Sequence, residues 1–148
     1  MGEFYNLSFK VVLIGITDLF NLTRCMATSE MKICIADSQA RVRYGLRILL
    51  EQQAGWEVVC EATCAIELIQ QIRSALPDVA IIDWDLPGMP IEVLIRALNE
   101  DRPDLLVISL SGRHELRQSA LAAGADAYAS KVEPPDNLIQ SIQRLLRK

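Results

Sequence analysis

Val79-Ala80-Ile81-Ile82 is a short apolar run that lies between Pro77 and the acidic residue Asp83. Four residues are too few for a buried helix, but they suit a strand that is buried on both faces. Apolar residues recur at helical spacing before Pro77, and they do so again from Ile91 onward. The stretch therefore predicts a helix, a buried strand and a second helix in succession.

The same alternation extends from Met31 to Lys148. Apolar runs predict strands at residues 32–36, 57–61, 79–82, 105–110 and 125–129. Amphipathic stretches predict helices at residues 40–53, 65–76, 91–99, 115–123 and 134–146. Gly124 suits the C-cap of the fourth helix. The last helix is expected to bury an apolar stripe made of Leu138, Ile142, Leu145 and Leu146. Five strand–helix units in a row predict an α/β fold, with a parallel sheet covered by helices on both faces.

The first thirty residues do not share this pattern. They hold one short β-like stretch at residues 9–16, followed by mixed polar and apolar residues. We expect residues 1–30 to be a loosely attached N-terminal extension. Three origins are open for it: a native segment, a mis-assigned upstream start and an expression remnant. Residues 31–148 are expected to form one domain, which agrees with the size of a single hydrophobic core.

Composition narrows the class of protein. The chain is 51% hydrophobic, with a net charge of −4 and a sequence pI near 5.0. An acidic balance disfavours direct nucleic-acid binding by this domain. No apolar run reaches the ~18 residues of a membrane span, and the N-terminus lacks the basic start of a signal peptide. We therefore expect a cytoplasmic domain that contacts neither nucleic acid nor membrane.

Four cysteines are present, at positions 25, 34, 60 and 64. Their spacing matches no zinc-binding pattern, and the sole histidine is distant. We interpret them as small buried residues in a reducing compartment, with a redox pair as the alternative.

Polar residues with complementary chemistry follow the predicted strands. Asp37, Asp83 and Ser111 come directly after the first, third and fourth strands, and Lys131 follows the fifth by two residues. Parallel sheets bind ligands beyond the carboxyl ends of their strands, so these side chains should meet at one edge. A nucleophilic carboxylate, a second carboxylate for a metal ion, a hydroxyl and an ammonium group suit aspartyl-phosphate chemistry.

Three stretches resemble the receiver domains of bacterial response regulators. They are Ile35-Ala36-Asp37-Ser38-Gln39-Ala40-Arg41-Val42-Arg43-Tyr44-Gly45-Leu46, Pro77-Asp78-Val79-Ala80-Ile81-Ile82-Asp83-Trp84-Asp85-Leu86-Pro87-Gly88-Met89 and Ala122-Ala123-Gly124-Ala125-Asp126-Ala127-Tyr128-Ala129-Ser130-Lys131. The resemblance covers residues 31–148 and is closest to regulators with a helix-turn-helix output domain. It implies a flavodoxin-like (βα)5 fold with strand order 2-1-3-4-5.

The resemblance also implies a role for each residue at the strand ends. Asp83 would accept a phosphoryl group from a histidine kinase or a phosphotransfer protein. Mg²⁺ would be held by Asp37, Asp83 and the backbone carbonyl of Asp85. Such a domain is not an enzyme, although it assists its own phosphorylation and dephosphorylation.

Three further residues would contact the phosphoryl group or respond to it. Ser111 and Lys131 would contact it, and Tyr128 would be the switch aromatic, unless its ring merely packs at the sheet edge. In this family the surface at residues 114–148 often forms a dimer or an output contact, so a homodimer through it is an expectation here.

Ser38 departs from the family pattern, which has a second acid at that position. An uncharged hydroxyl is a poorer ligand for a hard cation, so Mg²⁺ affinity should be weakened. The Asp85 carboxylate would partly compensate, which predicts weaker Mg²⁺ binding in Asp85→Asn.

Two other functions fit parts of this pattern. A pseudo-receiver would bind proteins without phosphorylation, and Ser38 favours it. A haloacid-dehalogenase-like phosphatase would share the Asp83-Trp84-Asp85 motif, but such enzymes need later carboxylates that the chain does not supply. We expect the phosphorylated receiver.

Overall fold

The computed structural model describes residues 30–147, which form a five-stranded sheet with helices on both faces. The strands are β1 Met31–Ala36, β2 Trp56–Ala62, β3 Val79–Asp83, β4 Leu106–Ser111 and β5 Ala127–Ser130. Every neighbouring pair is parallel and the order is β2-β1-β3-β4-β5. The predicted fold class and strand order are confirmed. The predicted extension, residues 1–30, lies outside the described residues except for Glu30.

Each strand is followed by a helix. The helices are α1 Ala40–Glu51, α2 Ala65–Ala75, α3 Ile91–Asp101, α4 Arg117–Ala123 and α5 Pro135–Leu146, and a 3-10 turn at His114–Leu116 precedes α4. Four predicted boundaries were wrong by two residues. Helix α1 ends at Glu51 rather than 53, α3 ends at Asp101 rather than 99, and α4 begins at Arg117 rather than 115. Strand β5 begins at Ala127 rather than 125, because the Ala125 N–H still bonds the Ala120 carbonyl at the end of α4.

The core divides into two layers, one on each face of the sheet. Alternate residues of β1 show the division: Cys34 and Ala36 pack toward α2 and α3, whereas Ile33 and Ile35 pack toward α1 and α5. All four are at most 1% exposed. Strand β3 is also buried on both faces, and this explains why its apolar residues are consecutive and do not alternate with polar ones.

The buried stripe of α5 differs in part from the prediction. Leu138 and Ile142 are buried as expected, and Ile139, which the prediction omitted, is buried too. Leu145 is half-buried and Leu146 is 49% exposed. Burial decreases along the last turn of α5, so the buried stripe does not reach Leu146 as predicted.

Gly124 ends α4 in the left-handed conformation, with φ of 110°, as its position in the sequence predicts. A Cβ atom there would lie 2.7 Å from Nδ2 of Asn99, which donates a hydrogen bond to the Gly124 carbonyl. The backbone conformation therefore favours glycine, and a larger residue would also displace the Asn99 side chain and its hydrogen bond.

The cysteines were predicted to be separate buried residues, and for two of them this was wrong. Cys34 and Cys60 are opposite each other in the β1–β2 register, with Cα atoms 4.7 Å apart, and they form a disulfide. Both are buried, as expected, while Cys64 is free and half-buried. Strand pairing brought the two sulfur atoms together, and spacing along the chain did not indicate it.

Within residues 30–147, no helix has the length and apolar character that crossing a membrane requires.

Candidate functional site

Four predicted site residues meet at the carboxyl edge of the sheet. Asp83 and Ser111 are the last residues of β3 and β4, Asp37 directly follows β1, and Lys131 directly follows β5. Backbone hydrogen bonds hold these strand ends together: the Lys131 N–H donates to the Ser111 carbonyl at 2.9 Å. The convergence follows from the parallel sheet, because all of its carboxyl ends lie on one edge.

Lys131 joins the two carboxylates of the site. Its Nζ lies 2.8 Å from Oδ2 of Asp37 and 3.1 Å from Oδ1 of Asp83. Asp37 is 1% exposed and Asp83 is 6% exposed. A buried carboxylate without a partner is strongly unfavourable, so the ammonium group is what allows both acids to lie here. Because Lys131 carries one positive charge and the two carboxylates carry two negative charges, the site has a net negative charge.

Burial and ion pairing shift the pKa values of Asp83 and Lys131 in opposite directions. Burial raises the pKa of Asp83, and the negative charge of Asp37 adds to the rise, which the hydrogen bond and charge of Lys131 only partly offset. Burial lowers the pKa of Lys131, but its hydrogen bonds to Asp37 and Asp83 outweigh this and raise the pKa above its ordinary value. Lys131 therefore stays positively charged at neutral pH.

Asp37 is held in place by two further contacts. Its Oδ1 accepts a hydrogen bond of 2.8 Å from the Gln39 backbone N–H. Its backbone carbonyl accepts one of 2.9 Å from Nη1 of Arg43, whose Nε in turn bonds Glu61 at 3.2 Å. No pattern in the sequence singles out Arg43 as a support for Asp37. Only the pairing of β1 with β2 places Glu61 where it orients the guanidinium.

Ser111 and Tyr128 meet around the loop after β4. The Arg113 N–H donates to the Ser111 hydroxyl at 3.1 Å, and the Tyr128 hydroxyl donates to the Arg113 carbonyl at 2.6 Å. Tyr128 is 7% exposed, so its ring is packed inside the domain. Both residues thus lie beside the edge that carries Asp83, and their hydroxyl groups brace the same loop.

The Asp85 carboxylate pairs with an arginine of the loop after β4. Its Oδ1 lies 3.0 Å from Nη2 of Arg113, and both side chains are more than half exposed. The carboxylate is therefore engaged by a cation from the β4 loop. Nothing along the chain links residues 85 and 113, so only the folded structure reveals this pair.

Among residues 30–147, no group of three or more histidine, cysteine, aspartate or glutamate side chains is arranged to hold a metal ion. The expected magnesium ligands are instead two carboxylates and one carbonyl. Mg²⁺ is commonly held by one or two carboxylates and keeps several waters. Asp37 and Asp83, buried together with a net negative charge, fit that ion.

Comparison with known proteins agrees with this architecture. Residues 33–143 match the family model described as the response regulator receiver domain. A Bacillus subtilis relative, the uncharacterized transcriptional regulatory protein YhcZ, is 35% identical over 115 residues, which cover 76% of this chain and 54% of that protein. The transcriptional activator protein ExaE of Pseudomonas putida is 33% identical over 118 residues, covering 78% of this chain and 55% of ExaE. The chain thus spans about half the length of the curated relatives it matches.

Solved structures give the same result. A two-component response regulator of the LuxR family from Aurantimonas sp. SI85-9A1 superposes with a TM-score of 0.75 at 29% identity, covering 80% of this chain and 86% of the other. The isolated receiver domain of RcsB from Salmonella enterica serovar Typhimurium, determined with the phosphomimetic BeF3⁻, also gives 0.75, at 25% identity and with coverage of 80% and 90%. With a family match over most of its length and this fold, the chain belongs to the response regulator receiver domain family.

Proposed function

We propose that the domain accepts a phosphoryl group on Asp83 from a histidine kinase or phosphotransfer protein, and that the modification alters a partner-binding surface. The observation that carries this proposal is the contact of Lys131 with both Asp37 and Asp83. An ammonium group at that point would pair with a phosphoryl oxygen once the carboxylate has reacted.

In the proposed step, a carboxylate oxygen of Asp83 attacks phosphorus while the bond to the donor nitrogen breaks, and the leaving imidazole takes up a proton. Asp37, Asp83 and the Asp85 carbonyl would hold Mg²⁺, which supplies charge neutralisation for the phosphoryl oxygens. The hydroxyl of Ser111 would exchange its bond with the Arg113 N–H for one to the phosphoryl group. Because Tyr128 bonds the same loop, its ring would respond to that movement.

The test is intact mass after incubation with acetyl phosphate and Mg²⁺. We expect a gain of one phosphoryl group in the wild type and none in Asp83→Asn. A folded wild-type sample that gains nothing even at high Mg²⁺ would contradict the proposal and favour the pseudo-receiver. Membership of the receiver family already weighs against a phosphatase of the haloacid-dehalogenase type.

Ser38 offers a matched gain-of-function variant. Ser38 is exposed and directly follows Asp37, so an acid there can be introduced without disturbing the core. We expect Ser38→Asp to raise Mg²⁺ affinity by at least about tenfold, on the scale seen for residues around metal ligands. An unchanged affinity would show that position 38 does not reach the metal.

Asp85→Asn tests the second part of the metal hypothesis. Removing the carboxylate should weaken Mg²⁺ binding, although the same carboxylate is bound to Arg113. Arg113→Gln is the paired variant: it frees Asp85 and removes a positive charge, so Mg²⁺ affinity should rise. If neither variant changes the affinity, the Asp85 carboxylate plays no part in metal binding.

We infer that the surface at residues 114–148 is the responding face, through which two copies or a partner would associate. Leu121 and Val132 within it are large apolar residues that are 43% and 69% exposed. Light scattering should detect a dimer when Mg²⁺ and beryllium fluoride are added. A dimer that survives Leu121→Glu and Val132→Glu would place the interface elsewhere.

A further inference from the structure

A groove of about 340 Å³ lies between α1 and α5, on the face of the sheet opposite α2 and α3. Its floor is formed by Leu110 and Leu138, each 4% exposed. Its walls include three half-buried apolar residues of α1: Val42, Leu46 and Leu49. The volume is within the range of small-molecule sites, about 300–1,000 Å³, and such sites are mainly apolar with a few polar groups.

Gly45 lines the same groove from the middle of α1. A glycine inside a helix costs about 1 kcal/mol relative to alanine. Neither crowding nor conformation requires it here, because a Cβ atom would meet no heavy atom within 4 Å and Gly45 is not among the described glycines with positive φ. The absent side chain keeps the groove open.

The charged groups at the groove differ in their availability. Lys131 is bound to Asp37 and Asp83, and Glu133 accepts a hydrogen bond of 2.9 Å from Asn137. Within the described part of the chain, the guanidinium of Arg41 has no such partner. The groove therefore offers an apolar floor, the guanidinium of Arg41 and, at its edge, the carboxylate of Glu133.

We propose that this groove binds a small amphipathic carboxylic acid, with its apolar part on Leu110 and Leu138 and its carboxylate at Arg41. Ligand binding in the groove does not require phosphorylation of Asp83. Because Lys131 lines the groove and also contacts Asp83, binding in the groove and modification of Asp83 are expected to be thermodynamically linked.

The probe is octanoate at millimolar concentration, followed by methyl NMR of the leucine residues. We expect saturable shifts at Leu46, Leu49 and Leu138, and weaker binding of octanol, which lacks the charge. Arg41→Gln should reduce octanoate affinity about twofold to fivefold, the scale of a solvent-exposed ion pair, and leave octanol unaffected.

Gly45→Leu fills the groove and should abolish the shifts, while Gly45→Ala shows whether the helix tolerates a side chain there. Absence of shifts in the wild type, or undiminished binding in folded Gly45→Leu, would overturn the proposal. Equal loss of octanoate and octanol in Arg41→Gln would overturn the assignment of the charge. None of these measurements involves phosphorylation, so failure here is distinct from failure of Asp83 to be modified.

Discussion

The ammonium group of Lys131 lies 2.8 Å from a carboxylate oxygen of Asp37, although 94 residues separate them in the chain. The same nitrogen lies 3.1 Å from Asp83. Three buried or half-buried ionisable groups thus depend on one another, and a change to any one alters the stability of the fold as well as the chemistry of the edge.

Asp83→Asn should stabilise the domain at neutral pH. Burial raises the pKa of Asp83, so folding favours its protonated form. The protonated carboxyl group therefore contributes to the stability of the fold below the ordinary aspartate pKa of 3.8. That contribution is lost as the pH rises through the raised pKa of Asp83 in the folded protein. The amide stays neutral, so the variant should melt above the wild type at pH 7, with about 4 °C for each kcal/mol gained.

Calorimetry across pH 3.5–7, a range that spans the ordinary aspartate pKa, checks this prediction. The difference in Tm should shrink toward the acidic end, where the wild-type carboxyl group is protonated. A difference that stays constant with pH would mean that ionisation of Asp83 is not its cause.

Lys131→Met should lower the free energy of unfolding by about 2 kcal/mol. This is less than the cost of removing one partner from a fully buried ion pair, because the lysine side chain is 26% exposed. The loss arises because two carboxylates then lack their cation, so lowering the pH or adding Mg²⁺ should recover part of it. Urea unfolding at pH 5 and 7 measures this, with the exposed Lys32→Met as control. Equal losses in the two variants would argue against the pairing.

Arg43→Lys should weaken Mg²⁺ binding about threefold to tenfold. Lysine keeps the charge but cannot bond the Asp37 carbonyl and Glu61 with separate nitrogens, as the guanidinium does. Trp84, which directly follows Asp83, serves as the fluorescent probe of the titration.

Arg47→Lys is the matched control for Arg43. Arg47 also bonds Glu61, at 2.5 Å, but the structure gives it no bond to Asp37. Its affinity for Mg²⁺ should match that of the wild type. If the two variants weaken binding equally, the effect comes from Glu61 and not from positioning of Asp37.

Tyr128→Phe should cost about 0.5–1.5 kcal/mol, because the Arg113 carbonyl loses a hydrogen bond of 2.6 Å inside the protein. Amide exchange at residues 113–116 should accelerate as the loop loosens. Tyr44→Phe, at a position 67% exposed, should change neither quantity. Unchanged exchange in Tyr128→Phe would show that the hydroxyl does not hold the loop.

Much of the architecture could be predicted from local pattern. The apolar run at residues 79–82 specifies a strand, because a strand buried on both faces has consecutive apolar residues. The amphipathic stretches around it specify helices, because a helix buried on one face has apolar residues three or four positions apart. The ends of elements were less predictable. Ala125 looks like part of a strand, yet its N–H completes the end of α4, a contact that only the folded backbone defines.

The sequence by itself determined which chemical groups follow which strands: Asp37, Asp83, Ser111 and Lys131 could be placed at one edge because parallel strands share a direction. Tertiary structure alone decided which groups touch. Lys131 bonds Asp37, Arg43 supports Asp37, Arg113 engages Asp85, and Cys34 joins Cys60. These contacts depend on strand register and on side-chain directions across elements distant in the chain, which a periodic pattern of apolar residues does not encode.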